Sequence, residues 1–181
     1  MALRPQIALF RAVNVGGRKA TSAELKALGD DLSLEDARTF VQTGNLVFRC
    51  VRSGAALEAE IEQAFAMRFG YASDVLVRSD QEWRAALAAN PHAEMAERDP
   101  GHLVVMALKS APDPDAVAAL QAAVRGRETL AAVGRELFIA YPDGIGTSKL
   151  TGALIERRLR VRGTARNWNT ATKLAAMLAE A

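Results

Sequence analysis

Between Gln6 and Arg78 the chain alternates apolar β-rich runs with helix-spaced segments in an order that few folds satisfy. Gln6–Val13 is an almost unbroken apolar run, as expected of a central strand covered on both faces. Thr21-Ser22-Ala23-Glu24 has the form of a capping box, predicting a helix to about Leu28 that Gly29 ends. Arg38–Gln42 and Asn45–Arg49 are β-rich runs separated by Thr43-Gly44, a hairpin signal. Leu57, Ile61, Ala64, Phe65 and Phe69 then recur at helical spacing, with Gly70 as the stop, and Asp74–Arg78 reads as a fourth strand.

The resulting β-α-β-β-α-β order is the split βαβ, or ferredoxin-like, arrangement. In it the first and third strands are antiparallel neighbours. The end of strand one (Asn14) and the start of strand three (Asn45) are therefore expected at one edge of the sheet, with the Gly16-Gly17 loop and the Thr43-Gly44 turn beside them.

The remainder is less regular. Ser79-Asp80-Gln81-Glu82 reads as a second capping box, opening a helix to about Asn90 that Pro91 stops. Pro91–Gly101 is polar and breaker-rich and is predicted as a loop or interdomain connection. A strand at His102–Leu108, a helix at Pro114–Arg125 capped by Asp113, and a hairpin of Glu128–Val133 with Glu136–Tyr141 follow. Two helices are predicted to close the chain, at about Ser148–Leu159 and Asn169–Ala179. The fold class is thus α+β: a ferredoxin-like half over residues 1–79 and a second, smaller α+β half over residues 80–181, ending in two helices.

Composition narrows the function classes. Half of the 181 residues are hydrophobic and about a quarter charged, as in a globular protein. A net charge of +2 is too small for nucleic-acid binding across the whole surface. The single cysteine, Cys50, permits neither an intrachain disulfide nor a thiolate metal cage. The first apolar stretch is interrupted at Arg11 and is too short to span a bilayer, so no membrane partner and a cytoplasmic location are expected.

Four polar clusters carry whatever chemistry the chain has. Arg11 falls inside an apolar run, where its charge needs either an internal ion pair or an anion. The following Asn14-Val15-Gly16-Gly17-Arg18-Lys19 leads from a strand to a helix start, a place that suits phosphate or carboxylate, or else is a tight turn with solvated cations. It is neither a P-loop nor GxGxxG. Asp143-Gly144-Ile145-Gly146-Thr147-Ser148-Lys149-Leu150 could form an anion nest or a capped glycine turn. Glu156–Gly163 packs four arginines around a helix end, explained by capping and solubility or by a nucleic-acid patch. Thr164–Thr170 places Arg166, Asn167 and Asn169 around Trp168, as a pocket lining or a core anchor with helix caps.

No HExxH, HxH or GxSxG spacing surrounds His92, His102 or any serine, so no metal ligands, no cofactor and no catalytic residues are assigned.

Leu9-Phe10-Arg11-Ala12-Val13-Asn14-Val15-Gly16-Gly17, Gln42-Thr43-Gly44-Asn45-Leu46-Val47-Phe48, Ser148-Lys149-Leu150-Thr151 and Thr164–Thr170 together resemble motifs of the domain-of-unknown-function 1697 family. The resemblance runs from near the N-terminus almost to Ala181. It implies small, functionally uncharacterised bacterial proteins with a ferredoxin-like half joined to a second α+β half. The chain departs from that pattern at Ala12, where glycine is usual, at Thr43, where serine is usual, and at Gly152, where asparagine is usual.

The expectation that joins these clusters is a site for a small anionic ligand, phosphate- or nucleotide-bearing, between the two halves. Arg11, Gly16, Gly17 and Lys19 would supply charge and amides, and Asn14, Thr43 and Asn45 orientation. Lys149, Arg166, Asn167 and Asn169 would close it from the C-terminal half. The alternative is a nucleic-acid-binding module that uses the ferredoxin-like sheet and the C-terminal arginines; a third reading makes the polar motifs a structural latch.

Overall fold

The computed structural model describes residues 2–41 and 44–181. In the first unit, strand β1 (Arg4–Phe10) lies between β3 (Asn45–Cys50) and β4 (Val75–Ser79), antiparallel to both, and β2 (Glu35–Thr39) flanks β3. The order β2-β3-β1-β4 is that of the ferredoxin-like arrangement. Leu9 pairs with Asn45, so the end of β1 and the start of β3 do share one end of the sheet. Helices α1 (Ser22–Asp31) and α2 (Gly54–Phe69) contribute to a core of Ala8, Phe10, Leu25, Leu28, Phe48, Ile61 and Phe65.

Three local differences from the sequence reading have physical causes. Helix α1 continues through Gly29, whose role is close packing: a Cβ there would lie 3.0 Å from Ala37 Cβ and 3.3 Å from Leu46 Cδ2. Strand β2 begins at Glu35, ahead of the expected Arg38, and ends at Thr39; Gln42 of the expected strand lies outside the described residues. The backbone turns out of β2 at Phe40, whose carbonyl accepts a hydrogen bond from the Asn45 side-chain amide (2.9 Å). Strand β1 ends before Arg11, because Ala12 (φ +55°) and Asn14 (φ +59°) adopt the left-handed region.

Ala12 holds its left-handed φ without the conformational freedom of glycine. A left-handed L-residue costs about 1–2 kcal/mol, and glycine adds about 0.4–1 kcal/mol of unfolded-state entropy. Ala12→Gly is therefore expected to raise stability by about 0.5–1 kcal/mol, read as a higher urea midpoint at constant m-value. A lower midpoint would mean that the Ala12 methyl group is needed for packing.

The second unit repeats the same topology. Strand β5 (Leu103–Leu108) is central, with β7 (Glu136–Ala140) on one side and β8 (Gly163–Asn167) on the other, and β6 (Thr129–Val133) outside β7. The order β6-β7-β5-β8 matches that of the first sheet, and α5 (Pro114–Ala123) and α6 (Gly152–Leu159) occupy the corresponding links. The strand β8 between the last two helices escapes a sequence reading because Thr164-Ala165-Arg166-Asn167 is polar, yet Thr164 and Arg166 are buried.

Helix α3 (Asp80–Ala88) opens on the expected capping box: the Glu82 carboxylate accepts the Ser79 N–H (2.9 Å), and the Ser79 hydroxyl accepts the Glu82 N–H (3.2 Å). The segment predicted as a loop contains α4 (Ala93–Arg98). Helix α7 (Trp168–Ala179) closes the chain. The first compact unit runs to Arg84 and includes Lys173–Ala181; the second is Ala85–Thr172. The C-terminal segment is tied into the first unit by Arg38, which donates to the Met177 carbonyl (3.2 Å), and by Arg84, which donates to the Ala175 carbonyl (3.2 Å).

Helix side chains cap strand backbone in both sheets. Glu62 and Glu58 of α2 accept the N–H groups of Val75 and Val77 on edge strand β4, each at 2.8 Å. Gln121 of α5 accepts the Leu130 N–H of edge strand β6 (2.7 Å), and Glu156 of α6 accepts the Gly163 N–H of β8 (2.9 Å). These bonds occupy donors that an incoming strand would need.

Candidate functional site

In the first unit the predicted residues gather at one end of the sheet, and several serve its construction. Arg11 is half-buried, 3.8 Å from Asp74. The Asn14 side chain clamps its own loop: its amide donates to the Ala20 carbonyl (3.0 Å) and its oxygen accepts the Ala20 N–H (2.9 Å). Asn45 is fully buried and committed to Phe40. Gly16 (φ +60°) and Gly17 (φ +83°) lie on an exposed turn, with Lys19 exposed beside them. Arg18 stacks over the Tyr71 ring at 5.3 Å. The N-terminus of α1 already faces a carboxylate, because Glu24 accepts both the Thr21 N–H and its hydroxyl at 2.8 Å. The Thr21 backbone bond holds Glu24 below the usual carboxylate pKa. Thr43 lies outside the described residues.

In the second unit the predicted residues part company. Arg166 is buried on β8, where Nη1 donates to the Thr164 hydroxyl and to the Ala165 carbonyl, both at 2.8 Å; burial pushes its pKa down to about 10. The Asn167 side chain caps α7 by accepting the Thr170 N–H (2.9 Å), and Asn169 is exposed on that helix. Lys149 belongs elsewhere, to a cavity of about 420 Å³ within this unit.

That cavity lies between the end of α5, the α5–β6 link, the β7–α6 loop and α6. Leu120, Val124, Leu150 and Leu154 form an apolar wall. Arg125, Lys149 and Arg158 also line it; all three are exposed, and none makes a hydrogen bond or ion pair among the described residues. Of its two acids, Asp143 is taken by Arg127, which donates from Nε (2.9 Å) and from Nη2 and lowers the Asp143 pKa. Glu128 accepts the Ser148 hydroxyl.

The loop that carries Lys149 is built from the turn at Gly144 (φ +87°) and a single 3-10 turn, Ile145–Thr147. Thr147 donates to the Asp143 carbonyl (3.0 Å), and the buried Tyr141 hydroxyl donates to the Leu150 carbonyl (2.9 Å). Burial raises the Tyr141 pKa to about 12, so this anchor stays protonated at neutral pH. The sequence reading singled out the Lys149 loop but missed Arg125, Glu128 and the cavity role of Arg158. The one local signal is Gly126: a Cβ there would lie 2.1 Å from Glu128 Oε2, so glycine makes room for that carboxylate.

The repeated topology supplies an internal comparison. In the first unit the equivalent corner is lined by Asp31 of α1, Leu32 and Ser33 of the α1–β2 link, Cys50 at the end of β3, and Glu60 of α2. There one arginine is fully engaged. Arg52 donates to the Leu32 carbonyl (2.6 Å), to Glu60 and to the Cys50 sulfur (3.4 Å). The same corner of the same fold is thus self-neutralised in one unit and lined by unpartnered cations in the other.

Among the described residues no three of His, Cys, Asp and Glu group as metal ligands, and no helix is long and apolar enough to cross a membrane. His102 is engaged by Asp99 (Nδ1 to Oδ2, 2.6 Å), and desolvation lowers the His92 pKa.

No curated protein matches the chain. A solved structure described as that of the conserved bacterial protein SP0830 from Streptococcus pneumoniae is similar at a TM-score of 0.77 and 24% identity, over 98% of this chain and 99% of that one. This likeness shows the fold. The family model described as "Protein of unknown function (DUF1697)" matches residues 3–138, and the chain belongs to that family.

Proposed function

We propose that this protein binds a small phosphate-bearing anion in the cavity of its second unit. The observation that carries the reading is the trio of unpartnered cations, Arg125, Lys149 and Arg158, around one cavity whose counterpart in the first unit is neutralised by Arg52 and Glu60. Long cationic side chains held near one another repel, and an anion between them relieves that cost. A charge-assisted hydrogen bond contributes about 1.5–3 kcal/mol, so three give affinity of about micromolar order. Nucleic acid is the weaker reading. Phe10 and Phe48 are buried in the core with α1 and α2, which leaves neither free to stack a base.

The test is calorimetric titration of the full chain with inorganic phosphate and AMP. Lys149→Ala and Arg158→Ala are each expected to weaken binding about tenfold. Because neither residue has a partner among the described residues, both variants should keep the parent's stability to within about 0.5 kcal/mol. Absence of binding by the parent chain, or variants that bind as well as the parent, would overturn the proposal. Salt-dependent binding of single-stranded RNA that outlasts both substitutions would instead favour the arginine cluster.

A further inference from the structure

Resting on that reading, we infer that Glu128 makes the cavity selective for a phosphate ester that carries hydroxyl groups, such as the ribose phosphate of a nucleotide, over an anion with no donor to offer. Among the described residues Glu128 is the one lining acid with no cationic partner: neither Arg125, Lys149 nor Arg158 pairs with it. Its position is constructed. Its backbone carbonyl accepts from Gln121 Nε2 (3.3 Å), its Oε1 accepts the Ser148 hydroxyl, and the missing Cβ of Gly126 admits the carboxylate, since that atom would lie 2.1 Å from Oε2 and 2.9 Å from Cδ.

The hydroxyl of Ser148 has a single proton. It already accepts the Leu150 N–H (3.0 Å), so its proton is committed to Glu128 Oε1. Oε2 makes no hydrogen bond among the described residues and is an open acceptor in a cavity whose other acid, Asp143, is taken by Arg127. A carboxylate in this place repels a bare phosphate and rewards a ligand that donates a hydroxyl to it while its phosphate meets the cations. A site built around a polar partner discriminates strongly against the analogue that lacks it, because the buried acceptor is then left unpaired. A cavity of about 420 Å³ falls in the range of small-molecule sites.

The experiment compares AMP with 2′,3′-dideoxy-AMP, which differ only in the ribose hydroxyls, together with inorganic phosphate, by calorimetry on the full chain. The parent is expected to prefer AMP over the dideoxy analogue about tenfold or more, and Glu128→Gln to lose most of that preference while binding inorganic phosphate no more weakly. Gly126→Ala, which displaces the carboxylate without removing its charge, should lose the preference as well. Equal affinity of the parent for AMP and its dideoxy analogue, or equal weakening of both by Glu128→Gln, overturns this inference while leaving the phosphate site standing. No binding of any of the three by the parent overturns both.

Discussion

Replacing Glu58 with alanine is expected to lower the stability of the first unit by about 3–5 kcal/mol, a large share of what holds a small domain together. Glu58 is 4% exposed and Arg78 is 1% exposed. The carboxylate reaches from α2 to the edge of the sheet, where Oε1 accepts the Val77 N–H at 2.8 Å and lies 3.9 Å from Arg78 Nη1. Alanine removes both the acceptor of a strand amide and the counter-charge of a buried guanidinium, and the second loss dominates. Glu58→Gln keeps an acceptor and the side-chain volume but drops the charge, so it should cost about 1–3 kcal/mol. Urea unfolding in a Trp168→Phe background, where the buried Trp83 alone reports, reads the first unit. A loss under about 1 kcal/mol for alanine would show that Arg78 does not depend on this carboxylate.

How far the fold could be read beforehand follows from where each signal resides. The first unit was legible because its punctuation is local: the Thr21–Glu24 and Ser79–Glu82 boxes, and the left-handed Gly70 (φ +74°) that ends α2. Gly29 misled as a helix stop because its reason lies across the core, at Ala37 and Leu46. Strand β8 was invisible because its buried positions include Thr164 and Arg166, and only tertiary hydrogen bonds make an arginine acceptable there. Without β8 the second copy of the βαββαβ order could not be seen.

The candidate site divides the same way. Lys149 stands in a glycine- and hydroxyl-rich loop that points to an anion on local grounds. Arg125, Glu128 and Arg158 come from the far side of a hairpin and from a helix, and only the sheet topology brings them to one cavity. Conversely, the polar motifs at the first sheet's end invite a ligand reading when met as sequence. The Asn14 clamp on Ala20 and the Asn45 clamp on Phe40 show what those side chains hold.

Gly44 sharpens that distinction, and Gly44→Ala is expected to cost about 2–5 kcal/mol, the sum of left-handed strain and overpacking. Its φ is +75°, and a Cβ would lie 2.4 Å from Val13 Cγ2, 3.0 Å from Phe10 Cβ and 3.3 Å from the Phe10 carbonyl oxygen. The Phe10 N–H donates to the Gly44 carbonyl (2.8 Å), so the hairpin backbone cannot back away from β1 without breaking a strand-end hydrogen bond. Gly16 is the control. It has φ +60° but nothing within 4 Å of its Cβ position, so Gly16→Ala should cost only the conformational part, about 1–2 kcal/mol. Urea midpoints of the two variants, followed by Trp83, separate packing from strain. If they coincide, the close approach of the hairpin to Phe10 and Val13 does not explain glycine at this position. If Gly44→Ala is the costlier by the expected margin, glycine at this turn is required by packing, independently of any ligand.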